Sequence, residues 1–161
     1  AYNYFVFQFL TQHEHAYLTE LHQLFMQKVI RPQIRPEGFK AIQRHKDAGH
    51  ALVGITATSD FITAPIFREF GITEIIATNA EVLDGKYTGK VINTACYQQG
   101  KLVRLEQWLQ GRDVTESWAY SDSINDRFLL EYADHAIAVN PDDRLEVLAK
   151  AQGWNIQDWS I

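Results

Sequence analysis

"AYSDSINDRFLLEY" (residues 119–132) joins a short apolar run to a run with helical spacing of apolar residues. Asp122 and Asp126 stand where a predicted buried strand ends, and carboxylates are costly there unless a cation neutralises them. Neighbouring oxygen and amide groups are supplied by Ser121, Ser123 and Asn125. Because Mg²⁺ binds one or two carboxylates and keeps several waters, this turn suits a magnesium site. The alternative is local: Asp126 caps the helix, and Asp122 forms an Asx-turn.

The composition indicates a globular protein with no nucleic-acid partner. The chain has 161 residues, 46% of them hydrophobic, which is enough for one domain with an appendage. Its formal net charge of -5 argues against binding DNA or RNA. The one cysteine, Cys96, permits no internal disulfide. No apolar run approaches the roughly 18 residues that span a bilayer, and a signal peptide is not indicated. We therefore expect a soluble cytoplasmic protein without a membrane partner.

Predicted strands and helices alternate along most of the chain. The strand-like runs are HALVGIT (50–56), EIIAT (74–78), SWAYS (117–121), AIAVN (136–140) and an edge strand WNIQDW (154–159). The helical runs between them cover residues 58–71, 100–111, 125–133 and 140–153, the last with Asn140 as its cap. EVLDGKYTGKV (81–91) predicts a hairpin with a type I′ turn at Asp84-Gly85. This order predicts an α/β fold, with a parallel sheet and helices on both faces.

The first 35 residues differ from the alternating part. Apolar residues at helical spacing favour a helix over residues 2–10, although the same letters also suit a strand. The pattern stays helical from residue 11 to about 30. Pro32 and Pro36 then interrupt it, and Pro36 suits the first turn of a helix over residues 36–48. We place the domain boundary at these prolines, between residues 1–35 and 36–161.

Further polar residues follow the other predicted strands, where ligands of parallel sheets bind. Thr56 and Thr58 lie in the TATS turn, whose hydroxyl and N–H groups can bind an anion; for Thr56 alone, simple satisfaction of the turn is favoured. Lys101 opens a helix, where positive charge is unfavourable unless it binds an anion; a solvated surface lysine is the equal alternative. His13, His15 and His22 are better explained as a solvated helix face than as metal ligands.

Several stretches together resemble the haloacid dehalogenase (HAD) superfamily. They are GITATSDF, EVLDGKYTGKV, GKLVRLEQWL, YSDSINDRFLL and HAIAVNPDDRL, in that order. Within the superfamily the chain is similar to the subfamily IB hydrolases related to phosphoserine phosphatase. The resemblance covers nearly the whole chain, and it implies a Rossmann-like core over residues 36–161. Residues 1–35 would then be the remnant of a helical cap.

The resemblance also implies roles for individual residues. Thr56 matches the motif II hydroxyl and Lys101 the motif III lysine, both of which bind the phosphoryl group. Asp122 matches the magnesium ligand of motif IV, and Asp126 matches the second motif IV acid, which supports the metal site. Asn125 and Thr58 are weaker candidates for substrate contacts. The implied cofactor is Mg²⁺, and the implied partner is a small phosphorylated metabolite.

One part of the family pattern has no counterpart here. Motif I, an Asp-x-Asp-x-Thr/Val sequence at the end of the first core strand, supplies the nucleophile and the general acid/base, and neither is found. We therefore expect this chain to be a fragment or inactive, with the first core strand missing. The complete protein would hydrolyse a small phosphomonoester through an aspartyl-phosphate. The alternative is a truncated, non-catalytic homologue that binds a phosphate ligand or a protein; homo-oligomerisation is left open.

Overall fold

The computed structural model describes residues 2–92 and 96–160. The chain forms two compact units, residues 1–96 and 97–161. This division is based on how the residues of each part pack together, and it does not test the predicted boundary at residues 35 and 36. The cap remnant predicted for residues 1–35 and the core predicted for residues 36–161 stay predictions. In the part of the chain that the structure describes, no helix has the length and apolar character needed to cross a membrane.

The first unit begins with helices α1 (Tyr2–Thr11) and α2 (His15–Phe25). The helix predicted over residues 2–10 is therefore confirmed, whereas the helical run predicted from residue 11 is interrupted. The Thr11 hydroxyl donates to the carbonyl of Gln8 at 2.8 Å, and Glu14 adopts an extended backbone with ψ 147°. The Thr11 bond competes with helix continuation, and the extended Glu14 separates the two helices.

The two prolines interrupt the helical pattern as predicted, after a gradual end to α2. A π-turn (Met26–Ile30) and a 3₁₀ turn (Arg31–Gln33) carry the chain to Ile34, which is extended with ψ 125°. Helix α3 (Pro36–Asp47) then starts with proline in its first turn, a position that needs no N–H donor. The predicted helix over residues 36–48 is thus confirmed.

Helix α3 ends in a left-handed turn that brings two histidines together. Gly49 has a φ of 76°, and the N–H of His50 donates to the carbonyl of His45 at 3.0 Å. This return of the chain is the usual one at a helix end with glycine, and it places the two side chains in contact. Their Nδ1 atoms lie 2.8 Å apart. Burial, followed by the charges of His50 and Arg44, lowers the pKa of His45.

A parallel strand pair and a hairpin complete the first unit. Strands β1 (Val53–Ser59) and β2 (Glu74–Thr78) pair in parallel. Helix α4 (Asp60–Glu69) connects them along the chain. The predicted hairpin is confirmed as β3 (Ala80–Leu83) and β4 (Lys86–Val91). Asp84 and Gly85 have φ values of 49° and 76°, as a type I′ turn requires.

The core of the first unit joins the amino-terminal helices to the hairpin. Buried side chains form one cluster: Phe7, Leu10, Leu18 and Ala80, with Val6, Phe61 and Tyr87 packed against them. His22 is buried, and its Nε2 lies 2.9 Å from the carbonyl oxygen of Ile62 in α4. His22 is therefore an interior residue, and the solvated position predicted for it is wrong.

The second unit contains helix α5 (Gln99–Leu109) and a three-stranded parallel sheet. The strands are β5 (Trp118–Ser121), β6 (His135–Val139) and β7 (Asn155–Gln157), in that order across the sheet. A 3₁₀ turn (Ile124–Asp126) leads into α6 (Arg127–Tyr132), and α7 (Asp143–Gln152) connects β6 to β7. The core cluster consists of Leu130, Ala136, Ala138, Leu145 and Ala149.

The α/β class and its parallel pairing are confirmed. The parallel strands belong to two sheets, one in each unit, and the hairpin forms a third. Among residues 2–92 and 96–160, β1 has β2 as its one hydrogen-bonded neighbour, and β5 has β6. The carboxyl ends of β5 and β6 are in register, with Ser121 opposite Ala138.

The predicted cap of α7 is wrong. The side chain of Asp142, two residues beyond Asn140, accepts from the N–H of Leu145 at 2.8 Å. Asn140 is left-handed, with a φ of 43°, and its amide binds the carboxyl-terminal segment. Its Nδ2 donates to Asp158 at 2.6 Å, and its Oδ1 accepts from the N–H of Trp159 at 2.9 Å. The pattern Asn-Pro resembles a helix start, but these long-range bonds cannot be seen in it.

We expect Asn140→Ala to destabilise the protein by about 1–3 kcal/mol, because bonds to the carboxyl-terminal segment are lost and alanine fits a positive φ poorly. Asn155→Ala, at an exposed position in β7, is the control and should change stability by less than about 0.5 kcal/mol. Urea unfolding of both variants measures the difference. Equal stabilities for the two variants would contradict the role of Asn140.

The histidine pair predicts a loss of stability in acid. The pKa of His45 is lowered in the folded state, so the unfolded chain binds more protons as the pH falls. The free energy of unfolding should therefore decrease below the ordinary pKa of 6.5, and continue to decrease until the pH is below the lowered pKa. Thermal unfolding between about pH 5 and 8 checks this. His45→Gln should flatten the profile, and His15→Gln should not; identical profiles for all three proteins would refute it.

Candidate functional site

The candidate site of the second unit lies at the carboxyl end of β5. The strand ends at Ser121, and the next five residues form the loop and 3₁₀ turn that lead into α6; we call residues 121–126 the strand-end loop. It contains Asp122, Asn125 and Asp126, three of the predicted site residues. Parallel pairing with β6 fixes the point at which this loop leaves the sheet. Ligand sites of open α/β sheets occur at such strand ends.

The structure brings Lys101 and Asp126 together. Lys101 lies in the first turn of α5, and its Nζ forms an ion pair with Oδ1 of Asp126. The other carboxylate oxygen of Asp126, Oδ2, accepts a hydrogen bond from the Ser121 hydroxyl at 2.8 Å. The hydroxyl oxygen itself accepts from the N–H of Ser123 at 3.2 Å. Lysine, aspartate and serine thus form one chain of polar contacts.

Burial makes this chain of contacts important for Lys101. The residue is 7% exposed, and a helix N-terminus repels a positive charge. An ammonium group nearly excluded from water is costly unless it is paired, and Asp126 provides that pairing. An ammonium group has three N–H donors. Beyond Asp126, the Nζ of Lys101 has no partner among residues 2–92 and 96–160. Donors therefore remain for an anion.

Asp126 does not cap α6, although it stands at the cap position. Its side chain makes no capping bond, because both carboxylate oxygens are directed to Lys101 and Ser121. The 3₁₀ turn that precedes α6 is instead capped by Ser123, whose hydroxyl accepts from the N–H of Asn125 at 3.3 Å. The local alternative from the sequence, a capping role for Asp126, is therefore wrong.

Asp122 is the available carboxylate of the strand-end loop. Its side chain is exposed and bonds to no other residue within the described ranges. Its backbone is fixed, since its carbonyl accepts from the N–H of Asp142 at 2.8 Å. Asn125 is exposed as well, and its backbone N–H donates to the Ser123 hydroxyl at 3.3 Å. An Asx-turn of the Asp122 side chain is not formed.

Asp142 was missed as a site-related residue by the sequence analysis. Its Oδ1 caps α7 through Leu145, and its Oδ2 accepts from the N–H of Ile124 at 2.8 Å. The N–H groups of Ile124 and then Leu145 hold the pKa of Asp142 below its ordinary value. A capping motif identifies the first of these bonds from sequence. Nothing in the sequence reports the second, which joins residues 18 positions apart.

Thr56 and Thr58 lie in the first unit, at the carboxyl end of β1. Thr56 Oγ1 accepts from the N–H of Thr58 at 3.1 Å, and both residues are half-buried. The pairing of β1 with β2 is irregular between Ile55 and Ser59, the stretch that contains Thr56 and Thr58. The turn predicted at TATS is wrong, because β1 continues through these residues to Ser59. The Thr56 hydroxyl satisfies a backbone N–H within the strand, and its hydrogen remains a donor.

Asp60 organises the same strand end. Its Oδ1 accepts from the N–H of Phe61 at 2.8 Å, and its Oδ2 accepts from the amide of Asn79 at 2.8 Å. Asn79 follows β2, so one carboxylate joins the start of α4 to the end of the neighbouring strand. Burial, and then the charge of Asp60, raises the pKa of Tyr87 in β4.

The donor set fits Mg²⁺ in a limited way. In the described parts of the chain, no group of three or more His, Cys, Asp or Glu side chains is arranged to hold a metal ion. Mg²⁺ does not need such a cage, since one or two carboxylates with water and phosphate oxygens suffice. Asp122 offers a free, exposed carboxylate of the required type. Asp126 is already paired with Lys101, so it fits a supporting role better than that of a direct ligand.

Comparison with known proteins gives consistent matches. The model of the haloacid dehalogenase-like hydrolases matches residues 2–131. A histidinol-phosphatase of Neisseria meningitidis serogroup C is 40% identical over 153 residues, which are 91% of this chain and 69% of the relative. A phosphoserine phosphatase of Mycobacterium tuberculosis is 36% identical over 148 residues, 91% of this chain. The chain spans 48% of the length of that relative, about half.

Solved structures agree on the fold. A Bordetella pertussis protein of unknown function has a TM-score of 0.93 at 39% identity, over 98% of this chain and 73% of its own. A probable phosphoserine phosphatase from Vibrio cholerae has a TM-score of 0.65 at 18% identity, over 79% of this chain and 39% of its own. At that identity the second likeness reports the fold alone. From the family match and the relatives, the chain belongs to the haloacid dehalogenase-like hydrolases.

Proposed function

We propose that the residues of this chain serve a phosphatase that hydrolyses a small phosphomonoester with the help of Mg²⁺. The proposal is supported by family membership and by relatives named histidinol-phosphatase and phosphoserine phosphatase. One structural observation carries it furthest. Lys101, nearly excluded from water, is held by Asp126 and keeps N–H donors that no residue in the described ranges uses. An oxyanion is the ligand that such an ammonium group would bind.

Each residue has a chemical task in this proposal. Lys101 and the Thr56 hydroxyl bind phosphoryl oxygens, and they stabilise the negative charge that develops during transfer. Asp126 positions Lys101, while Asp122 is the carboxylate ligand of Mg²⁺. The metal, when bound, neutralises charge on the phosphoryl group. Asn125 and Thr58 are proposed as substrate contacts.

The 161 residues contain no Asp-x-Asp sequence. In the family reaction that motif provides the nucleophile that becomes aspartyl-phosphate, and it also provides the acid for the leaving alcohol. We therefore propose turnover for a polypeptide that combines these residues with such a motif. The same observation favours a second candidate, in which the chain binds a phosphate-bearing ligand or a protein without catalysis. The two candidates differ in turnover.

The first experiment separates them. It compares this chain with a longer version that carries an Asp-x-Asp-containing strand ahead of residue 1, using p-nitrophenyl phosphate, O-phosphoserine and histidinol phosphate with Mg²⁺ or with EDTA. We expect turnover by the longer version that EDTA removes, and no turnover by the 161-residue chain, because the attacking carboxylate is supplied by the added strand.

The remaining outcomes are equally informative. If neither version turns over the esters but both bind inorganic phosphate, the non-catalytic candidate is correct. If the 161-residue chain is active by itself and Asp122→Asn abolishes that activity, the dependence on Asp-x-Asp is wrong. Asp143→Asn, a nearby exposed acid with no proposed role, is the control for loss of charge.

The second experiment tests Lys101 directly. Lys101→Met should weaken the binding of inorganic phosphate by about tenfold or more, because it removes a charge-assisted donor. It should also destabilise the chain by about 1–3 kcal/mol, since Asp126 loses its partner. Lys150→Met is the matched control, because Lys150 pairs with Glu146 on the surface of α7. Calorimetric titration and urea unfolding measure both effects. Equal phosphate affinity in the two variants would remove Lys101 from the site.

A further inference from the structure

Asp142 lies outside the strand-end loop and forms two hydrogen bonds with it, one at Asp122 and one at Ile124. Its backbone N–H donates to the carbonyl of Asp122 at 2.8 Å. Its Oδ2 accepts from the N–H of Ile124 at 2.8 Å. The two bonds therefore bracket the backbone from Asp122 to Ile124, and they attach it to the start of α7.

Capping of α7 does not account for both bonds. A helix N-cap needs one side-chain oxygen, and serine, threonine or asparagine provides it as well as aspartate does. Here Oδ1 performs that task by accepting from Leu145 at 2.8 Å. The second oxygen is left for Ile124. Only a carboxylate has two acceptor oxygens and no donor, so aspartate alone among the common N-cap residues can offer a separate oxygen to each of the two N–H groups.

The fold brings Asp142 to this place. Strands β5 and β6 are parallel neighbours with Ser121 opposite Ala138, so the loops that follow them leave the sheet side by side. The strand-end loop follows β5, and Asp142 follows β6 three residues beyond Val139. A third contact comes from within the loop, where the Ser121 hydroxyl accepts from the N–H of Ser123 at 3.2 Å. The backbone around Asp122 is thus held from two sides, while its side chain stays exposed.

We infer that Asp142 is a positioning residue, which holds the backbone that carries the Asp122 carboxylate toward a divalent cation. The inference rests on the proposed function, in which Asp122 is the Mg²⁺ ligand. A ligand on a loose loop must lose conformational freedom when the metal binds, and that loss reduces affinity. Groups that fix a metal ligand from outside typically contribute about tenfold or more to affinity.

Two substitutions remove the bond to the strand-end loop from opposite ends. Asp142→Ser keeps an N-cap oxygen for Leu145 and leaves the Ile124 N–H without its acceptor. Ile124→Pro removes the donor and keeps Asp142 with its charge, and the first position of a 3₁₀ turn accepts proline. Asp143→Ser is the matched control, because it makes the same change in charge at the adjacent residue, whose side chain forms no hydrogen bond or ion pair with the described residues.

The experiment measures Mn²⁺ binding to the 161-residue chain by electron paramagnetic resonance of the free ion. Thermal unfolding shows that each variant is folded. Asp122→Asn defines the site and should abolish binding. We expect Asp142→Ser and Ile124→Pro each to weaken Mn²⁺ binding by about tenfold, and Asp143→Ser to leave it within about twofold. A purely structural role would change thermal stability and leave the affinity of the folded protein unaltered.

Two results would overturn the inference in different ways. If Asp122→Asn abolishes binding but Asp142→Ser and Ile124→Pro bind as Asp143→Ser does, Asp142 is only a helix cap and the proposed function stands. If the unsubstituted chain binds no Mn²⁺, or if Asp122→Asn leaves binding intact, the proposed metal site fails and the inference fails with it. If either Asp142→Ser or Ile124→Pro is unfolded, the other decides.

Discussion

A lysine nearly excluded from water is the constraint on which the second unit depends. The ammonium group of Lys101 sits in the first turn of α5, where the helix dipole opposes it, and burial removes most of its hydration. Asp126 makes this position tolerable, and Ser121 in turn fixes the second oxygen of Asp126. Lys101 in a helix, Ser121 in a strand and Asp126 in a 3₁₀ turn are thereby linked by polar contacts around the ammonium group. These contacts link the two ends of the strand-end loop, Ser121 and Asp126.

In both units, an aspartate that accepts hydrogen bonds with both oxygens organises a strand end. In the first unit Asp60 accepts from the first turn of α4 with one oxygen, and from Asn79 beyond β2 with the other. In the second unit Asp142 caps α7 with one oxygen, and accepts from Ile124 beyond β5 with the other. Each carboxylate joins a helix start to the loop after a neighbouring parallel strand. A single acid therefore satisfies backbone donors and fixes a loop at once.

The aspartates around the strand-end loop differ in whether their carboxylate oxygens are bonded within the protein. Asp126 and Asp142 use both of their oxygens within the protein, whereas Asp122 uses neither within the described residues. A carboxylate that is free, exposed and attached to a fixed backbone is suited to a ligand, while the engaged ones are suited to holding the site together. This distinction follows from bonding alone. It supports the proposed role of Asp126, in which this residue holds Lys101 and is not a direct metal ligand.

The sequence by itself determined the elements that local chemistry controls. Pro36 started α3, Asp84-Gly85 formed the type I′ turn, and the alternation of apolar runs with helical patterns predicted an α/β fold. It also singled out Lys101, Asp122 and Asp126, because a positive charge is unfavourable at a helix start and carboxylates at the end of a buried strand are costly without a cation.

Tertiary structure decided which of those charged residues bind one another. Asp126 was as good a cap as any from its position, and it became the partner of Lys101 because α5 brings that ammonium group to it from 25 residues away. Asn140 lies where a cap was expected, but its side-chain amide forms hydrogen bonds with the carboxyl-terminal segment instead. Asp142 reached Ile124 only because β5 and β6 are neighbours. A side chain with two bonding options chooses between them by what the fold brings within about 3 Å, and local sequence contains no record of that distance.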